Sequence, residues 1–134
     1  MELLKILETK NTLGIVLNPE GYIRFDGRGL NTLDDKISIH IIDWLSEYLI
    51  NPPEITTIII ALEYLNSLSS KMLILILKEV SKLLQLDKQF FVHWCYEEDD
   101  EDILERGEYI STSLNIPIDF IRVNNIKMCF RSFT

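Results

Sequence analysis

The sequence predicts an α/β fold with a central, mostly parallel sheet, and three observations carry that expectation. Short β-branched runs alternate with stripes of three- and four-residue period, strand then helix, three times along the chain. One run, residues 55–62, is apolar at nearly every position, as expected of a strand covered on both faces. A proline- and glycine-containing turn near the N-terminus separates two short apolar segments, which places a hairpin at one edge.

The elements follow in order. Residues 3–7 and 14–17 are short and apolar. Asn18-Pro19-Glu20-Gly21 supplies turn chemistry, with proline fixing φ and glycine free to take positive φ. Tyr22-Ile23-Arg24-Phe25-Asp26 alternates as a strand does, so residues 14–27 read as the hairpin. From Leu33 the period changes, and Ile37, Ile41, Trp44, Leu45, Tyr48 and Leu49 mark one face of a helix. Asn31, Thr32 and Asp34 offer N-caps, and Asn51-Pro52-Pro53 stops the helix because a residue before proline is pushed out of helical geometry. After the strand at 55–62, Tyr64 to Lys71 reads as a polar turn. A second helix then carries Leu73, Ile76, Leu77, Val80, Leu83 and Leu84 on one side. Residues 89–96 form the next strand. The acidic run 97–102 opens a third helix striped by Ile103, Gly107, Ile110 and Leu114, and 116–123 and 126–130 are expected as the last strands.

The chain has 134 residues, 47% hydrophobic and 25% charged, which suits one folded domain over 1–134 and excludes disorder. Its net charge of −8 argues against nucleic acid or an anionic membrane as partner, since both call for a basic face. No apolar run approaches the ~20 residues of a bilayer span, and the N-terminus lacks the pattern of a signal peptide. The expected location is the cytoplasm. Two cysteines, Cys95 and Cys129, are too few for a disulfide framework or a zinc site and read as reduced, buried, apolar side chains.

Catalytic chemistry has little to work with. His40 and His93 stand apart from metal-ligand spacing, the five glycines form no phosphate-cradling run, and no nucleophile elbow is present. The expectation is no enzyme, no cofactor and no metal. Two segments stand out instead. Asn66-Ser67-Leu68-Ser69-Ser70-Lys71 lies between a strand and a helix. It reads either as a cap for the helix amides or as a place where a ligand or phosphate is held. Glu97-Glu98-Asp99-Asp100-Glu101-Asp102 reads as a solvated helix start, as a docking surface for a basic partner, or, least of all, as a metal site.

The ordered pair Tyr64-Leu65-Asn66-Ser67-x-Ser69-Ser70-Lys71 and Trp94-x-Tyr96-Glu97-Glu98-Asp99-Asp100-Glu101-Asp102, followed by Gly107, resembles the SiaC-type regulatory phosphoproteins. That family has the fold of STAS domains, the anti-sigma-factor-antagonist class. Weaker agreement at Gly27-Arg28 and at Asp43-Trp44-Leu45 with Tyr48 extends the resemblance to about residues 12–123. It implies a single STAS-like domain and a non-enzymatic switch. A cognate Ser/Thr kinase would phosphorylate the turn, a metal-dependent phosphatase would reverse it, and the unmodified form would bind a client such as a diguanylate cyclase. The matching acceptor is Ser67, with Asn66, Ser67, Ser69, Ser70 and Lys71 as partner-binding residues and Glu97, Glu98, Asp99 and Asp100 as an acidic docking surface. The chain departs from the family where Gly-Arg-Ser-Tyr-Pro-Glu is replaced by Gly27-Arg28-Gly29-Leu30-Asn31-Thr32, and where Thr12-Leu13 stands for Thr-Pro. The alternative is a small-ligand or nucleotide-binding module using the same helix N-terminus.

Overall fold

The structure, a computed structural model, describes residues 1–132. Its strands are β1 (Leu4–Ile6), β2 (Leu13–Asn18), β3 (Tyr22–Gly29), β4 (Ile55–Leu65), β5 (Gln89–Glu97) and β6 (Asp119–Val123). They form one sheet in sequence order, antiparallel from β1 to β3 and parallel from β3 to β6. The expected hairpin is β2–β3, closed where Gly21 N–H donates to the Asn18 carbonyl at 3.0 Å with Gly21 at φ +111°. The segment before it adds β1 as a further edge strand.

Each parallel step is made by one helix: α1 (Asp35–Tyr48), α2 (Ser67–Val80) and α3 (Glu101–Leu114). Successive crossovers of one hand, all advancing in the same direction, put their helices on the same face. Accordingly Ile41, Leu45, Leu73, Leu77, Ile103 and Ile110 share one core with the strand residues Ile23, Phe25, Ile58, Ile60 and Trp94. Within it Trp44 stacks on Tyr48 with ring centres 5.0 Å apart, and the Tyr48 hydroxyl bonds Thr56 Oγ1 at 2.6 Å. Burial pushes the Tyr48 phenol above its ordinary pKa, while the bond to Thr56 opposes the shift.

The opposite face carries a smaller cluster of Ile59, Ala61, Cys95, Ile126 and Cys129. Here the structure corrects one expectation. Residues 126–130 are no strand: Ile126–Ser132 is a 3-10 helix, and Ile126 and Cys129, three apart, reach the sheet together as that period dictates. Cys95 and Cys129 are both buried in this cluster, and their sulfurs are neighbours between β5 and this helix. Their proximity is hidden in the sequence because 34 residues separate them and residues 126–130 read as a strand. Trp94 and Cys95, adjacent on β5, point to opposite faces, as strand geometry requires.

Candidate functional site

Two loops meet where β4 ends. The strand runs three residues further than its apolar pattern suggests, to Leu65, so the polar turn expected over 64–71 shrinks to the single residue Asn66. Asn66 is extended (φ −85°, ψ 177°), and its carboxamide oxygen accepts the Ser69 N–H at 2.9 Å as the N-cap of α2. Its carboxamide nitrogen donates to the Leu30 carbonyl, and its backbone N–H donates to the Gly29 carbonyl at 2.9 Å. The cap thus also fastens the β3–α1 loop. That loop is held from its other side by the Asn11 carbonyl, which accepts the Leu30 and Asn31 N–H groups at 3.0 and 2.8 Å.

This clamp sorts the serines. Ser67, the first residue of α2, is exposed. Ser69 is fully buried, its hydroxyl directed at the Asn31 carbonyl 3.5 Å away. A Cβ on Gly29 would stand 2.9 Å from Ser69 Cβ, so the loop passes only because position 29 has no side chain. Ser70 is half-buried and its Oγ accepts from Arg106 Nη1 of α3 at 3.2 Å. Lys71 is exposed.

Two grooves flank α2. Between α2 and α3, a groove of about 450 Å³ is lined by Ser67, Ser70, Lys71, Asp102, Glu105, Arg106 and Tyr109. Between α1 and α2, one of about 320 Å³ is mainly apolar, with Ile42, Leu68, Met72 and Leu75 in its walls and Lys71 at its rim. Leu68 and Leu75 are about 60% exposed, an unusual investment of apolar surface beside a polar turn.

The acidic run divides by position. Glu97 is the last residue of β5 and its carboxylate accepts the Ile126 N–H at 2.9 Å, so the helix starts later than expected. Glu98 is exposed and lies 3.4 Å from Arg122. Asp99 is exposed, and Asp100 caps α3 by accepting the Ile103 N–H at 3.2 Å. Only Asp102 of the run shares a groove with Ser67. Trp94 and Gly107 mark the close packing of α3 on β5: the indole N–H donates to the Ile103 carbonyl at 3.0 Å, and a Cβ at position 107 would come within 2.6 Å of the indole.

His40 is exposed on α1, and His93 Nδ1 lies 3.7 Å from Asp119 on the neighbouring strand. Among the described residues no group of three His, Cys, Asp or Glu is placed to hold a metal ion, and no helix is long and apolar enough to cross a membrane. Asp26 carries no functional signal in the sequence. Its partly buried carboxyl lies 3.4 Å from Arg24 in the open face of β3, and burial raises its pKa more than Arg24 and Lys5 lower it. Arg106, whose pairing with Ser70 spans two helices, carries none either.

Residues 6–123 match the model of the SiaC family of regulatory phosphoproteins. In fold the chain is similar to a chain of the crystal structure of diguanylate cyclase SiaD in complex with its activator SiaC from Pseudomonas aeruginosa. The TM-score is 0.79 at 21% identity over 90% of this chain and 99% of that one. It is likewise similar to SiaC of Pseudomonas aeruginosa alone, with a TM-score of 0.75 at 20% identity over 92% and 100% of the two chains. No curated protein sequence matches the chain.

Proposed function

The chain belongs to the SiaC family of regulatory phosphoproteins, and we propose that it is a non-enzymatic cytoplasmic switch set by phosphorylation of Ser67. The observation that carries this reading is the sorting of the three serines. A kinase must reach a hydroxyl, and Ser67 offers one at the surface, whereas Ser69 is buried and Ser70 is engaged by Arg106. At the first position of α2, phosphate would add about −1.5 to −2 charges where the helix dipole favours them. The fold therefore tolerates the modification.

The client binds the surface around the turn, including Asn66, Ser67, Ser70 and Lys71 and the apolar groove between α1 and α2. A diguanylate cyclase is the class of client proposed, because SiaC of Pseudomonas aeruginosa is the activator of the diguanylate cyclase SiaD in their complex. A Ser/Thr kinase and a metal-dependent phosphatase complete the cycle, as the family resemblance implies. The exposed carboxylates Glu98 and Asp99 offer these enzymes an acidic docking edge.

The test is to incubate the protein with its cognate kinase and map the phosphate by mass spectrometry. Phosphate on Ser67 is expected. Phosphate confined to Ser69 or Ser70 would refute the assignment.

A further inference from the structure

We infer that the groove between α2 and α3 is a receiver for the phosphate of Ser67, with Arg106 as its principal ligand and Lys71 as its second. The inference rests on the reading of Ser67 as the acceptor and adds what holds the modified side chain. Ser67 and Ser70 stand three apart on α2, so their side chains are neighbours about 5–6 Å apart at Cβ. Arg106 Nη1 already reaches Ser70 Oγ at 3.2 Å, and Ser67, Lys71 and Arg106 line the same groove. A phosphate on Ser67 extends from a residue that lines the same groove as Arg106.

Chemistry then favours an exchange. The present partner of Arg106 is a neutral hydroxyl, which takes one N–H of a fork that has five. A phosphate dianion offers two oxygens to that fork, and charge-assisted bonds of this kind are roughly twice as strong as neutral ones. Asp102 and Glu105 line the same groove and oppose the phosphate, so the cations are needed for its capture. Lys71 lies on both grooves, and drawing it toward the phosphate removes a cation from the rim of the apolar groove between α1 and α2. Capture would thus carry the modification from one side of α2 to the other.

The experiment uses the full chain with phosphoserine installed at position 67 during synthesis, read by 31P NMR across pH. Phosphoserine ordinarily loses its second proton near pH 6. In the otherwise unaltered chain that pKa should be depressed, and Arg106→Gln should raise it again by about one unit, since a close cation favours the dianion. Equal values with and without Arg106 would overturn the inference. A second reading needs no variant: the guanidinium proton resonances of Arg106 should move with the phosphate titration, and resonances that ignore it would also overturn capture. Because the phosphoserine is installed without a kinase, these outcomes judge capture alone. Failure of the cognate kinase to modify Ser67 would instead sink the functional reading.

Discussion

Asn66 is the residue on which the turn between β4 and α2 depends, because one carboxamide serves two loops. Its oxygen caps α2 through Ser69 and its nitrogen holds the Leu30 carbonyl. Asn66→Ala should lower stability by about 1–2 kcal/mol, the usual cost of a lost N-cap, seen as an earlier urea midpoint at unchanged slope. Asn66→Asp separates the two roles, since aspartate caps as well as asparagine but cannot donate to Leu30. It too should destabilise, and wild-type stability in that variant would show that the loop clamp contributes nothing. Asp26 makes the opposite kind of prediction. Its pKa is raised above the ordinary 3.8, so the folded chain holds that proton more tightly than the unfolded chain does. Stability from this group is therefore lost as pH rises from 3.8 through the raised value, and the cost persists above it. Asp26→Asn should raise the melting temperature at pH 7, and the gain should shrink toward zero as pH falls below that window.

At the scale of elements, what was legible was whatever has a period. The stripes of α1, α2 and α3 and the apolar run of β4 placed the helices and the central strand, and proline and glycine marked the hairpin. Boundaries failed where one residue type serves two roles. Tyr64 and Leu65 look like the start of a turn and are strand, because pairing with Arg28 and Gly29 extends β4 to its cap. Ile126 to Ser132 is apolar enough for a strand, yet the Ile126 N–H goes to the Glu97 side chain and Asn125 Oδ1 accepts the Lys127 N–H, which starts a helical turn. The turn after β4 was legible as a short polar string, but the sorting of its serines was not, because it arises from Gly29, Asn31 and Arg106, all more than thirty residues away. Gly107, in contrast, has a reading that the sequence stripe already contained. It sits where α3 touches the Trp94 indole, and Gly107→Ala should cost about 1–3 kcal/mol by overpacking, although alanine is the better helix former. A calorimetric melting point equal to or above that of the parent chain would show that α3 can shift away from β5 at no cost.

Over the whole molecule, the layout separates the packed faces of the sheet from the edge that carries the polar turn. The three helices lie on one face of the sheet and the C-terminal 3-10 helix on the other. The loops leaving β3, β4 and β5 gather at the carboxyl edge of the parallel strands, the edge at which such sheets hold ligands. There a half-buried cap anchors an exposed serine between a charged groove and an apolar one. On the proposed switch, a client packed against this turn must desolvate any dianion placed on Ser67, a cost of several kcal/mol unless the client brings its own cation. Ser67→Ala should keep client binding and escape regulation, while Ser67→Asp should weaken binding and alter melting by only a few degrees. The measurement that bears most directly on the proposed switch is a calorimetric titration of the proposed client, a diguanylate cyclase, with the unmodified chain and with the chain phosphorylated at Ser67. Phosphorylation should weaken binding at least ~10-fold, about 1.4 kcal/mol. Equal affinity of the two forms would contradict the account and leave Ser67 as no more than the first residue of a helix.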